Sequence, residues 1–150
     1  SRTMEQVGQE AGWKDGKRRE ARKYEKSGLS PERSQDYLNA LLAVMEQQRP
    51  YLDSELSLPQ LAELISVTPH HLSEVLNARL QQTFFDFINR YRIEQVKKDL
   101  IDPRKQSMKI LALAFEAGFS SKTAFNTLFK KHTGLTPSQY RDRRGSTARS

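Results

Sequence analysis

Four polar residues between positions 121 and 130 have side chains suited to hydrogen bonding with the edges of nucleic-acid bases. They are Lys122, Thr123, Asn126 and Thr127. The apolar residues Phe125, Leu128 and Phe129 recur at helical spacing among them, which places the polar set on the opposite face of one helix. An asparagine amide matches the edge of adenine, and a lysine ammonium donates to the acceptors of guanine. We expect Lys122 and Asn126 to be the strongest base-reading candidates.

A second polar set lies about 53 residues earlier, again between apolar residues at helical spacing. It consists of His70, His71, Ser73, Glu74 and Asn77. A glutamate can accept a hydrogen bond from cytosine, and either histidine can contact a base or a phosphate. The histidines have no cysteine and no third clustered ligand near them, so we predict no metal and no cofactor here.

Phosphate contacts are expected at helix starts, where free backbone amides favour anions, and from exposed cations. The candidates are Thr68, Ser120, Ser121, Lys130, Lys131, Arg90, Arg92, Arg141 and Arg143. Simple solvation is the alternative for each of these side chains. Arg141 has a further alternative, which is to brace the last helix.

The overall composition is compatible with a polyanionic partner. The formal net charge is +7 and the isoelectric point is about 9.8. The 150 residues include no cysteine, which excludes disulfides, cysteine–metal sites and cysteine nucleophiles. The sequence offers no nucleophile-plus-base pair, no phosphate-binding glycine loop and no small-molecule site, so we predict that the chain is not an enzyme.

The elements that must hold these side chains are all helical. Capping residues and prolines predict a first helix over about residues 31–48. A helix-turn-helix unit is predicted over about 57–80, a long linker helix over 84–102, and a second helix-turn-helix unit over 107–133, with Ser107 opening its first helix. Thr136-Pro137 starts a last short helix. The sequence therefore predicts an all-α fold of about seven helices over residues 30–143.

An internal repeat supports this organisation. With an offset of 52, the apolar and small positions from Leu58 to Val67 fall on those from Ile110 to Phe119. One extra residue then enters the second turn, and an offset of 53 aligns the following helices. Ala62 and Ala114 are small where the second helix of each unit crosses the first. Gly118 falls at the turn, where glycine tolerates a positive φ. A plain helical bundle with a duplicated hairpin is the alternative, but bundles usually have longer helices.

Residues 112–125 and 129–141 together resemble the AraC/XylS-type transcription regulators. The shared pattern is an alanine, Gly118-Phe119, an aromatic on the second helix, Phe129-Lys130, Gly134, Pro137 and a final Tyr140-Arg141. The match extends over roughly residues 56–143. The resemblance implies two helix-turn-helix subdomains on a rigid linker helix, which place their second helices in successive major-groove segments of double-stranded DNA. In the first unit, Gln81 replaces the glycine found at position 134, Asn77 replaces the lysine at 130, and Glu74 stands at a position often basic or polar in the family.

The flanking segments are predicted to be polar. Residues 1–29 are interpreted as a basic linker, partly disordered, and residues 144–150 as a frayed tail. The alternative for the linker is a basic arm that contacts DNA phosphates or lipid headgroups. A weaker likeness over residues 51–77 is to regulators with a membrane-embedded N-terminal half.

The family resemblance also sets expectations for partners and location. It implies RNA polymerase as a partner, a missing N-terminal sensor half and a cytoplasmic location, with membrane anchoring of the full-length protein as a variant. The competing hypothesis for the domain is a helical module that docks another protein. DNA binding should weaken steeply with salt, whereas apolar docking should not.

Overall fold

The computed structural model describes residues 28–149, with side chains as far as Arg143, and this part of the chain contains α-helices and no strands. The helices are α1 (Pro31–Gln47), α2 (Leu58–Leu64), α3 (Pro69–Val75), α4 (Phe84–Leu100), α5 (Ile110–Glu116), α6 (Lys122–Thr133) and α7 (Pro137–Arg149). Short 3-10 helices lie at Pro50–Leu52 and Pro103–Lys105, and a π-helical segment, Leu76–Leu80, follows α3. The all-α prediction of about seven helices is confirmed for the described residues.

The described residues divide into two compact units. The first unit consists of residues 28–48 and 57–84, with α1, α2 and α3. The second consists of residues 49–56 and 85–149, with nearly all of α4 and all of α5, α6 and α7. Each unit contains one helix-turn-helix pair, α2–α3 in the first and α5–α6 in the second.

Helix starts are defined by side-chain caps of the kind the sequence predicts. The Ser57 hydroxyl accepts from the backbone amide of Gln60 at 3.3 Å, and the side-chain oxygen of Gln60 accepts from the backbone amide of Ser57 at 3.0 Å. Thr136 and Gln139 form the same reciprocal pair at the start of α7, at 3.2 and 2.9 Å. These bonds satisfy amides that have no partner within the helix, and they fix where α2 and α7 begin.

The first helix of each pair contains a fully buried alanine. Ala62 and Ala114 are fully buried. In the first unit the α3 residues Leu72 and Val75 are fully buried as well. A small buried residue lets neighbouring helix backbones approach closely, so in the first unit α2 and α3, of seven residues each, can share one core.

Aromatic side chains fill the core of the second unit. The rings of Phe119 and Phe125 lie 5.2 Å apart between centroids, those of Phe125 and Phe129 lie 5.7 Å apart, and those of Phe129 and Tyr140 lie 5.4 Å apart. Ring pairs at such distances add to the stabilisation from buried area. This chain of rings connects the turn, the second helix α6 and the last helix α7, so the orientation of α6 is set from inside the unit.

The internal repeat predicted from the sequence is confirmed by the helix boundaries. Helices α2 and α5 are both seven residues long and begin 52 positions apart. Helix α3 with its π segment spans residues 69–80, and α6 spans 122–133, an offset of 53. The matched turn residues Ser66 and Gly118 have φ of 58° and 108°, and the matched end residues Gln81 and Gly134 have φ of 53° and 78°. The two units therefore use left-handed backbone at the same two places.

One predicted helix start is wrong. Helix α5 begins at Ile110 and not at Ser107, because residues 103–105 first form a 3-10 turn. The side-chain amide of Gln106 donates to the carbonyls of Leu100 and Asp102 at 2.9 and 2.8 Å. These bonds satisfy carbonyls at the end of α4, and the next helix begins only after this turn. Helix α7 runs from Pro137 to Arg149, and the fraying expected for residues 144–150 stays a prediction.

Gly118 is the tightest point of the second unit. A Cβ placed on it would lie 2.1 Å from the Tyr51 carbonyl oxygen and 2.6 Å from Nε of Arg92. Only a residue without a side chain allows the 49–56 segment to pack against the turn. Glycine is therefore required here by close approach as well as by φ.

We predict that Gly118→Ala destabilises the protein by at least about 3 kcal/mol, from overlap with backbone added to left-handed strain. Gly134→Ala is the control, because nothing lies within 4 Å of its Cβ position. It should cost only about 1 kcal/mol, the backbone contribution. Urea unfolding followed by circular dichroism measures both, and equal losses would contradict the steric explanation.

Gln81 has left-handed backbone, which is strained for a residue with a side chain. Gly134, at the matched position in the second unit, has the same conformation without that strain. We predict that Gln81→Gly stabilises the chain by about 0.5 kcal/mol, since relief of left-handed strain exceeds the added entropy of the unfolded glycine. The reverse change Gly134→Gln should lose about 1 kcal/mol. Thermal unfolding measures both changes, and a lower melting temperature for Gln81→Gly would show that position 81 is not strained.

Candidate nucleic-acid interface

Helix α6 presents its predicted polar residues together on one exposed face. Lys122, Thr123, Asn126 and Thr127 are all exposed. Phe125 and Phe129, on the opposite face, are buried. The Ser121 hydroxyl caps the helix by accepting from the Ala124 amide at 3.2 Å, which fixes the first turn that carries Lys122 and Thr123.

The start of α7 borders this face, which sequence reasoning missed. An open depression of about 470 Å³ is lined by Asn126, Thr127, Lys130, Lys131, Thr136 and Pro137. A neighbouring one of about 380 Å³ lies between Lys122, Asn126 and Ser138. The sequence Thr136-Pro137-Ser138-Gln139 signalled only a helix start, because nothing in a local pattern tells which distant helix it approaches. The exposed face of α6 thus borders two open depressions, and Lys122, Asn126, Lys130 and Lys131 are among the residues that line them.

The matching face of α3 is less available. His70 and Asn77 are exposed, but the Asn77 amide donates to the carbonyl of Ser73 at 2.9 Å, within its own helix. Ser73, His71 and Glu74 are half-buried, and the His71 ring lies 6.2 Å from that of Tyr37 on α1. The predicted residues therefore share a face in the first unit too, with fewer side chains directed to solvent.

Several predicted phosphate candidates occupy positions that suit the role. Ser120, Lys130, Lys131, Arg90 and Arg143 are exposed. The hydroxyl of Thr68 caps α3 by accepting from the His71 amide at 3.1 Å, as Ser121 does for α6. Helices α3 and α6 therefore each begin at a capped end that is exposed to solvent.

Arg92 requires a correction, because it does not face solvent. It is 9% exposed, and its guanidinium donates to the carbonyls of Tyr51 at 2.7 Å and Asp53 at 2.9 Å. Burial lowers its pKa from the usual arginine value, and the charge of Asp53 opposes that shift. Arg92 holds the 49–56 segment against α4, with its Nε and Nη2 donors directed to backbone carbonyls and not to solvent. Helical spacing alone does not decide whether an arginine is buried or exposed. The sequence analysis therefore placed Arg92 among the surface cations.

Arg141 follows the alternative that the sequence left open. Its guanidinium donates to the carbonyls of Met108 at 2.9 Å and Lys105 at 3.1 Å. The side chain therefore braces α7 against the segment that precedes α5, and it is half-buried. Phosphate contact is not the role that these bonds indicate.

Residues 28–149 contain neither a metal-binding cluster nor a membrane-spanning helix. No group of three histidine, cysteine, aspartate or glutamate residues in that range is arranged to hold a metal ion. Likewise, none of the helices in that range combines the length and apolar character needed to cross a bilayer.

Comparison with known proteins identifies the helix-turn-helix architecture. The pattern of a helix-turn-helix domain family matches residues 61–143, which is more than half of the chain and includes parts of both units. The chain belongs to the AraC-type helix-turn-helix family. The match begins within α2, so α1 lies before the part of the chain that the family pattern covers.

Individual relatives and solved structures agree with this assignment. The HTH-type transcriptional regulator GlxA of Rhizobium meliloti is 30% identical over 107 residues, which are 71% of this chain and 32% of that protein. The C-terminal domain of AraT, a response regulator from Geobacillus stearothermophilus, is 28% identical, with a TM-score of 0.60 over 72% of this chain and 84% of that one. An AraC-type regulator structure from Chromobacterium violaceum has the same fold, with a TM-score of 0.62 at 23% identity over 74% of this chain and 94% of that one. The chain spans about a third or less of the curated relatives that it matches.

The internal role of Arg92 leads to a stability prediction. Arg92→Met should destabilise the chain by about 2–3 kcal/mol, because two carbonyls lose a charged donor. Arg90→Met is the matched control, two residues away on the same helix and exposed, and should stay within about 0.5 kcal/mol. Urea unfolding distinguishes them, and equal stability of the two variants would show that the Arg92 bonds do not hold the 49–56 segment.

Proposed function

We propose that this chain binds double-stranded DNA sequence-specifically, with α3 and α6 as its two recognition helices. The observation that carries the proposal is the exposed face of α6, where Lys122, Thr123, Asn126 and Thr127 lie together above a buried aromatic core. An α-helix fits the width of the major groove, and base edges there present a distinct pattern of donors and acceptors for each pair.

Each polar residue of α6 has a role in this proposal. Asn126 pairs with an adenine through its amide, and Lys122 donates to a guanine. Thr123 and Thr127 offer hydroxyls to base edges and methyl groups to thymine. The capped start of α6, with Ser120 and Ser121, faces one phosphate strand, while Lys130 and Lys131 contact the other side of the groove.

The first unit contributes a second and weaker reading element. His70 and Asn77 are its exposed candidates, and Ser73, His71 and Glu74 complete the set from half-buried positions. A chain with two different recognition helices would read an asymmetric sequence as a monomer, with the two helices in successive major-groove segments about 34 Å apart along the duplex.

We infer that the whole protein regulates transcription. The relatives that carry this domain are named as transcriptional regulators, and the chain corresponds to a minor part of their length. A sensor half outside this chain and RNA polymerase are the partners that such a regulator requires. The work of the domain is then to bind DNA in the bacterial cytoplasm, with no catalytic step assigned to it.

The proposal is tested by fluorescence anisotropy of the chain on pooled random duplexes at several salt concentrations, followed by selection of the tightest binders. Binding should weaken steeply with salt, because each neutralised phosphate releases counterions. The selected duplexes should share an asymmetric motif. An absence of duplex binding at low salt would overturn the proposal and favour docking to a protein.

Asn126→Ala and Lys122→Ala should each relax the preference for one base pair in that motif by about 1–3 kcal/mol. Asn39→Ala, an exposed asparagine on α1, is the matched control and should leave the motif unchanged. Repeating the selection with each variant reads the effect. Unaltered base preference in both α6 variants would contradict their assignment as base readers.

A further inference from the structure

The reading helices of the two units differ in charge at matched positions. Helix α6 contains three lysines and no carboxylate. The internal repeat, with its offset of 53, places an uncharged residue of the first unit at each of these lysines. The matched pairs are Lys122 with Pro69, Lys130 with Asn77, and Lys131 with Ala78. The same alignment matches Thr127 of α6 with Glu74 of α3, so the first reading helix has a carboxylate where the second is neutral.

The arginine on the first reading helix is directed away from a DNA partner. Residues 69–80, which form α3 and its π segment, contain one arginine and no lysine. Arg79 donates to the Pro31 carbonyl at 2.7 Å, the Ser34 hydroxyl at 3.1 Å and the Gln35 side chain at 3.2 Å. Its Nε, Nη1 and Nη2 atoms are therefore all directed at α1, within the first unit.

The lysines of α6 are available for contact with an anion. Lys122, Lys130 and Lys131 are exposed, and none of their side chains has an ion-pair partner among the described residues. Lys130 and Lys131 also line the depression beside the start of α7. Phosphate oxygens are the partners that such exposed ammonium groups meet on DNA.

The units that carry the two helices differ in charge in the same direction. The described part of the first unit, residues 28–48 and 57–84, has two arginines and no lysine against five carboxylates. Its second arginine, Arg33, donates to the Tyr37 hydroxyl on α1 at 2.7 Å. Residues 49–56 and 85–143 of the second unit have thirteen lysines and arginines against eight carboxylates. Because non-specific affinity for DNA arises from cations near phosphates, the second unit is the one suited to supply it.

We propose that the second unit anchors the protein on the sugar-phosphate backbone of DNA, and that the first unit reads bases without neutralising phosphates. The inference rests on the proposed function and assigns different tasks to the two reading helices. Lys130 and Lys131 contribute affinity for every duplex, because phosphate contacts do not depend on sequence. Helix α3 contributes discrimination between sequences, since base contacts are what it has to offer.

Position 77 is where the two units can be compared most directly. Asn77 is exposed, as Lys130 is, and its amide donates to the Ser73 carbonyl at 2.9 Å within its own helix. Each of the two residues lies eight positions after the first residue of its reading helix. Because the repeat gives them the same place in their units, a lysine at position 77 should meet the DNA backbone as Lys130 does.

The experiment uses the full chain and a duplex selected by the unmodified protein. Asn77→Lys gives the first reading helix the missing cation, and Lys130→Asn makes the reciprocal change in the second. Asn39→Lys is the matched control, because Asn39 is exposed on the face of α1 opposite the buried Leu41. Urea unfolding should show that the three variants keep the unfolding midpoint of the unmodified chain.

Affinity is measured by fluorescence anisotropy between about 50 and 200 mM salt. Asn77→Lys should bind about fivefold more tightly, with a salt slope steeper by about 0.9, the value for one more neutralised phosphate. Lys130→Asn should bind about fivefold more weakly, with a slope shallower by about 0.9. Asn39→Lys should change neither quantity. This combination supports the division of tasks.

A shortened duplex tests the division without any substitution. The half of the selected motif that α6 reads is the half whose preference relaxes in Asn126→Ala. A duplex cut back to that half should keep the salt slope of the full duplex to within about 0.9, which is less than the loss of two phosphate contacts. Its affinity should fall, because the base contacts of α3 are lost.

Four results would overturn the proposal. A slope that falls by about 2 or more on the shortened duplex would show that the first unit neutralises phosphates too. An unchanged slope in Lys130→Asn would remove the anchor from α6. No gain in Asn77→Lys would show that this end of α3 does not lie against the DNA backbone, and an equal gain in Asn39→Lys would show that added charge anywhere is sufficient. Failure of the unmodified chain to bind any duplex would instead overturn the proposed function itself.

Discussion

A close crossing of two short helices is the constraint on which each unit depends. A seven-residue helix is not stable alone in water, so α2 and α5 exist because they pack against the helix that follows. The crossing needs a fully buried alanine, Ala62 or Ala114, and a turn with positive φ at Ser66 or Gly118. Those requirements fix the direction in which α3 and α6 leave the turn. The polar faces of the reading helices are therefore a consequence of how their opposite faces are buried.

The second unit adds a charged interaction to this arrangement. The Arg92 guanidinium joins α4 to the carbonyls of residues 51 and 53, and Gly118 leaves the space that this contact needs. Burying a guanidinium is costly unless its donors are hydrogen-bonded, and here two backbone oxygens accept from Nε and Nη2. The same unit contains α6 and most of the basic charge. The more exposed reading face therefore lies on the unit that the Arg92 hydrogen bonds stabilise.

Much of the fold was predictable from the sequence because its determinants are local. The capping pairs at Ser57 and Thr136 and the 52- and 53-residue offsets fixed the helix order and most helix starts. The repeat also predicted that position 81 corresponds to Gly134, and both residues do have left-handed backbone. The start of α5 was missed because the Gln106 bonds that close α4 depend on a three-dimensional turn. Distance along the chain likewise hid the role of Arg92, whose acceptors lie about forty residues away. For Arg141 the sequence left bracing open as an alternative, and the structure shows it.

The reading face was predictable in one unit and less so in the other. On α6 the polar spacing was enough, since a strong apolar stripe fixes which side faces outward. On α3 the spacing was the same, yet Asn77 bonds back to its own helix and Glu74 is half-buried, features that only packing decides. The account of this chain as a two-helix reader of the major groove is tested most directly by methylation interference at guanine N7 on a selected duplex. It predicts two clusters of interfering guanines on one face of the DNA, about one helical turn apart. Interference only at adenine N3, which lies in the minor groove, or none at any guanine of a bound duplex that contains guanines throughout, would contradict it.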